Sequence, residues 1–180
     1  RHHSMPREVF SLCTSIAVGQ KATQDNVILI SRNEDCLRNN WNKYLIQRDE
    51  PEYIAFKNTV HDGKWVLGNG MSVPVPDVAY SYSGTPDAGA DAEATSAMGN
   101  HFYYEERGIN EKNFAISATN SLSMNKAASI ADPLVPEASV IEAIIPTLLL
   151  PQAHSAQHAI TLLGQYVETY GAGEANGVLL

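Results

Sequence analysis

Three residues that can share one reaction lie near the start of the chain: Cys13, then Arg32 and Asp35. A cysteine thiolate attacks carbonyl carbon, and a nearby guanidinium favours the thiolate over the neutral thiol. A nearby carboxylate does the opposite, so Asp35 needs another partner. That partner exists if Cys13 becomes the first residue of the mature chain. Asp35 would then hold the new α-ammonium, and the free amine, which titrates at about 7.7 to 8.0, would take the thiol proton. The plainer readings are a cysteine used as a small buried hydrophobe and an ordinary strand-end ion pair between Arg32 and Asp35. Cys36, directly after Asp35, reads as a structural or exposed cysteine. His154 and His158 are four apart on an expected helix, but two imidazoles without a third convergent ligand do not make a metal site.

For Cys13 and Arg32 to meet, the runs that carry them must pair. Residues 12–18 (LCTSIAV) and 27–31 (VILIS) are β-prone and are separated by the polar segment 19–26, so the spacing predicts a hairpin. Residues 53–56 and 64–67 are expected as strands around a turn at 61–63. Residues 73–76 (VPVP) read as an extended edge or loop, because proline cannot donate to a ladder. A further strand is expected over 78–83, and 85–97 reads as loop or short helix. Residues 101–104 and 114–118 are expected to pair around a turn at 107–110. In 137–150, Val140, Ile141, Ile144, Ile145 and Leu148 carry helical periodicity, with Pro136 near the start and Pro146 kinking or ending the helix. The clearest helix is 155–170, with a stripe of Ala159, Leu162, Leu163, Tyr166, Val167 and Tyr170 and Gly171 as its C-cap. Residues 177–180 read as a strand. Strands, then helices, then a strand give an α+β layered fold.

The composition removes several functions. Twelve Lys and Arg against twenty Asp and Glu give a net charge of −8 with no basic run, which argues against nucleic-acid partners. No stretch approaches the about 20 apolar residues of a membrane helix. Two cysteines do not make a disulfide framework. No Gly-rich phosphate loop occurs, and the sequence calls for no cofactor or metal. The expectation is a soluble, cytoplasmic protein of one domain over 13–180. Residues 1–4 read as a purification-tag remnant and 5–12 as a leader or propeptide.

With these residues in view, the chain resembles the C69 cysteine dipeptidases, N-terminal-nucleophile (Ntn) hydrolases related to bile-salt hydrolases and penicillin V acylases. Cys13-Thr14-Ser15-Ile16 followed by Arg32-Asn33-Glu34-Asp35 looks like the opening of that family. Residues 108–119 (GINEKNFAISAT), 131–135 (ADPLV) and 170–177 (YGAGEANG) are similar to later blocks, so the resemblance runs from 13 to 180 with a weaker middle. It implies a four-layer αββα sandwich, of which this chain holds the N-terminal portion. It also implies a thiol peptidase that cleaves dipeptides through a thioester, after a self-processing step exposes Cys13. Cys13 falls on the family's nucleophile, Arg32 and Asp35 on its active-site polar residues, and Asn120 on the oxyanion-hole position of the related acylases. Small peptides are the implied substrates. The chain is expected either to form a homo-oligomer or to depend on a C-terminal portion beyond Leu180. The alternatives are an acylase of the bile-salt or penicillin V type and a catalytically inactive homologue with a packing role.

Overall fold

The computed structural model describes residues 13–34, 44–86, 94–95 and 101–180. In chain order the strands begin with β1 (Thr14–Val18), β2 (Leu29–Asn33) and β3 (Ile46–Arg48), followed by the short helix α1 (Glu52–Ala55). Next come β4 (Val60–His61), β5 (Lys64–Val66), β6 (Ser72–Pro74), β7 (Tyr82–Pro86), β8 (Ala94–Thr95) and β9 (His101–Phe102). After β10 (Glu105–Asn110) and β11 (Ala115–Thr119), the helices α2 (Lys126–Ala131), α3 (Ile145–Leu149) and α4 (Ala156–Tyr170) precede β12 (Gly177–Leu179). The chain is α+β, as its pattern implied.

The hairpin forms as expected: β1 and β2 run antiparallel with Ser15 opposite Arg32. The main sheet is antiparallel, in the order β12-β11-β10-β7-β3. Helix α3 lies against β10 and β11, α4 packs on α3, and the β1–β2 hairpin packs on β11. Strand alternation divides β11 between these neighbours. Ile116 and Ala118 join the apolar core with Trp65, Tyr82, Ile144 and Leu148. Ser117, between them, turns the other way, and its hydroxyl meets that of Ser15 at 3.1 Å. A helical layer, the main sheet and the hairpin therefore stack in that order.

Four expectations about elements are corrected. Residues 53–56 are not a strand: Pro51 starts α1, whose Glu52 and Tyr53 are buried. Its carboxylate accepts hydrogen bonds from Trp65 Nε1 (2.9 Å) and the Tyr103 N–H (2.6 Å), which fixes the segment from two sides. The strand expected over 78–83 forms later, at β7, through Gly84 and Pro86. The pairing expected between 101–104 and 114–118 around a turn at 107–110 does not form: 107–110 is strand interior, β10 is the partner of β11, and the reversal falls at 111–113, with Asn113 at φ 59°. Gly108 misled because glycine weakens a strand; here its missing Cβ admits the Leu150 side chain and the Ser83 carbonyl, each 2.6 Å from where a Cβ would stand. Finally, the helix expected over 137–150 shrinks to α3. Val140 forms a parallel bridge to Ala172, and Pro146 opens the helix instead of ending it.

The longest helix agrees with its sequence. The Ser155 hydroxyl accepts from the His158 N–H at 3.2 Å, and Gly171, at φ 77°, ends α4. The rings of His154 and His158 stack at 4.2 Å. A fully bonded asparagine ties α3 to the β10–β11 turn. Asn110 Nδ2 donates to the carbonyls of Leu150 (2.8 Å) and Ala153 (2.7 Å), and Oδ1 accepts from the N–H groups of Lys112 (3.0 Å) and Phe114 (3.1 Å). None of the helices among the described residues is long and apolar enough to cross a membrane.

Candidate active site

Cys13 immediately precedes β1, and Arg32 lies on the paired strand, so the hairpin register brings the two side chains together. Arg32 Nη2 donates to Cys13 Sγ at 3.3 Å. The guanidinium is held from several sides and is only 4% exposed. Its Nη1 donates to the carbonyls of Glu106 (3.0 Å) and Ala118 (2.6 Å). The Glu106 carbonyl is available because the β7–β10 register slips between Glu105 and Arg107, a bulge that takes Glu106 out of the ladder. Arg32 is thus fixed before any substrate arrives, with one nitrogen aimed at sulfur.

Two residues that the sequence did not single out complete the surroundings. The Ser121 hydroxyl accepts from the Cys13 N–H at 2.8 Å and donates to the Cys13 carbonyl at 3.0 Å, clasping the backbone of the thiol residue. Glu142 Oε1 lies 3.3 Å from Arg32 Nη2, the nitrogen that also meets sulfur. Burial raises the Glu142 carboxyl above its ordinary range and the charge of Glu174 adds to this, while Arg32 and the backbone N–H of Asn120 pull it back. The Glu142 N–H donates to Glu174 Oε2 at 2.8 Å.

Asn120 follows β11 directly and is exposed. It lines a pocket of about 470 Å³ together with Glu174, Leu122, Met124, Pro133 and Leu134. The pocket is a neighbour of the thiol's surroundings: Asn120 is followed in the chain by Ser121, and Glu174 accepts from the Glu142 N–H. Of the four residues singled out for chemistry, Cys13 and Arg32 meet directly and Asn120 borders the adjoining pocket. Asp35, with Cys36, lies outside the described residues.

The chain matches the profile of Peptidase family C69 over residues 12–180. It belongs to peptidase family C69. Among curated relatives it is 34% identical over 171 residues to a probable dipeptidase of Latilactobacillus sakei, covering 93% of this chain and 32% of that protein. It is 33% identical to a probable dipeptidase of Salmonella dublin, covering 92% of this chain and 35% of the relative. A probable dipeptidase A of Streptococcus pyogenes is 30% identical over 168 residues, with 92% and 32% covered. The C69 chain described here spans about a third of the length of these relatives.

Proposed function

We propose that the protein is a dipeptidase that uses Cys13 as an N-terminal nucleophile. The observation that carries this reading is the Arg32 Nη2 contact to Cys13 Sγ at 3.3 Å, beside a pocket, in a chain of the C69 family. With 5–12 removed, the α-amine of Cys13 takes the thiol proton. The thiolate, stabilised by Arg32, attacks the scissile carbonyl carbon, and the negative charge moves to the carbonyl oxygen. Asn120 stands at the edge of the pocket and is assigned the donor that meets this oxyanion. The tetrahedral adduct collapses as the Cys13 ammonium returns its proton to the departing amine, leaving a thioester. Water, deprotonated by the same amine, then attacks the thioester carbon, releases the first amino acid as a carboxylate and restores the thiol.

Ser121 suits the amine to this task. Its single hydroxyl proton is committed to the Cys13 carbonyl, so toward nitrogen it acts only as acceptor. One amine N–H is thereby directed to Ser121, and the nitrogen lone pair is left for the thiol proton. Asp35 is assigned the ammonium that forms during the cycle. The stacked helices, main sheet and hairpin are consistent with part of a four-layer Ntn sandwich. Among the described residues β12 is an edge of the main sheet. Turnover is accordingly proposed to need either further polypeptide, such as the longer relatives have, or a second copy of the chain.

A hydrolysis assay on small dipeptides tests the assignment. Cys13→Ala should abolish turnover while leaving the fold intact, because among the described residues the half-buried thiol makes one side-chain hydrogen bond. A Cys13→Ala protein that keeps the wild-type rate would falsify the nucleophile.

A further inference from the structure

We propose that Glu142 receives the α-ammonium group of the substrate's first residue, so that the site selects peptides with a free N-terminus. The inference rests on the dipeptidase reading and adds the group that recognises the acyl side. Glu142 Oε1 lies 3.3 Å from Arg32 Nη2, and that same nitrogen lies 3.3 Å from Cys13 Sγ. The carboxylate is therefore no more than two polar contacts from sulfur. In an aminoacyl group the nitrogen is two bonds from the carbonyl carbon, roughly 2.5 Å away. A carbonyl carbon poised for attack stands about 3 to 3.5 Å from the nucleophile. Its ammonium can then reach the Glu142 carboxylate, whose Oε1 is no further from sulfur than the two 3.3 Å contacts of Arg32 Nη2 laid end to end.

Charge supplies the second argument. A carboxylate beside a thiolate opposes it, so its presence there calls for a reason. Arg32 offsets the charge of Glu142. Glu174 adds another carboxylate against the Glu142 backbone, and among the described residues no lysine or arginine pairs with it. Arg32 is shared with Glu106, whose Oε2 lies 3.9 Å from Nη1, so among the described residues Glu142 and Glu174 leave an excess of negative charge beside the pocket. A bound ammonium corrects the excess and relieves the repulsion between Glu142 and Glu174. The pocket beside Glu174 has Leu122, Met124, Pro133 and Leu134 among its walls, which suit an apolar first side chain.

The test compares alanylalanine with N-propionylalanine, which lacks only the amine, on active protein that begins at Cys13. Wild type should favour alanylalanine by about 100-fold or more in kcat/KM, as a site built around a polar group rejects the analogue lacking it. Glu142→Gln should lower that ratio about 30-fold, and iodoacetamide should alkylate Cys13 at least as fast as before, since a repelling charge is gone. A wild-type ratio near one overturns the proposal, whether or not the variant folds. So does a variant that slows both substrates alike, or one that slows alkylation with the ratio intact, because either marks a carboxylate that only holds Arg32. Active protein that hydrolyses neither compound, or a Cys13→Ala variant that still cleaves alanylalanine, removes the dipeptidase reading itself and this proposal with it.

Discussion

Arg32 carries two loads at once, and its replacement should separate them. Arg32→Met removes the positive charge at sulfur and the two hydrogen bonds that the guanidinium gives to the Glu106 and Ala118 carbonyls. Alkylation of Cys13 at neutral pH should slow about tenfold, measured with Cys36 replaced so that only one thiol reports. Chemical denaturation should show a loss of about 2 to 3 kcal/mol for these two charge-assisted hydrogen bonds. Unchanged alkylation in a folded variant would count against the contact. Ser121→Ala should lower kcat/KM about tenfold by releasing the amine, and Ser121→Thr should restore most of it. Equal loss in both variants would mean that the hydroxyl is not what matters. Cys13 and Arg32 were legible in the sequence because a thiol and a guanidinium at the ends of two paired runs suggest a reaction by type. Ser121 was not, since a serine after a strand reads as turn. Glu142 was hidden inside an expected amphipathic helix, where an acid reads as its solvent face.

At the scale of elements, period decided what could be read. The β-prone runs that became β1 and β2 and the helical stripe of α4 were clear, and all formed near their expected bounds. Strand β10 was missed because its first two residues, Glu105 and Glu106, are acids that the fold buries. Glu105 is admissible inside because Arg48 Nε donates to it at 2.9 Å, a pairing no local pattern announces. Helix α3 was overextended because the apolar residues before it are buried in a bridge and turns instead of helix. The link between α3 and β10 rests on Asn110. Asn110→Ala strands two buried carbonyls and two N–H groups and should cost about 3 kcal/mol, read as a lower denaturation midpoint with an unchanged slope. A loss below about 0.5 kcal/mol would show that water replaces the amide there.

Across the whole molecule, the order of strands in the main sheet could not be read, because it joins segments more than a hundred residues apart, such as β3 and β12. The same sheet encloses a polar network whose titration should be measurable. Glu52 is 1% exposed, and burial pushes its carboxyl from the ordinary 4.5 to about 7, against the pull of the Tyr103 and Trp65 donors and Arg48. Between these values the folded state keeps a proton that the unfolded chain releases. Stability should therefore fall as pH rises from about 4.5 to about 7, by on the order of 3 kcal/mol from this group, and level off above. Glu105 and Glu142, also raised by burial, act in the same direction. Glu52→Gln should flatten that part of the profile, although its amide sets an NH₂ against one of the two N–H donors and lowers stability throughout. An equally steep profile in the variant would assign the proton elsewhere. The central claim, that Cys13 is the nucleophile and stands first in the working protein, is tested most directly by N-terminal sequencing of active protein inactivated with iodoacetamide. The first cycle should return carboxamidomethylcysteine followed by Thr14 and Ser15. A fully active preparation whose only N-terminus is Met5 or Pro6, or whose inactivating label sits on Cys36, would contradict it.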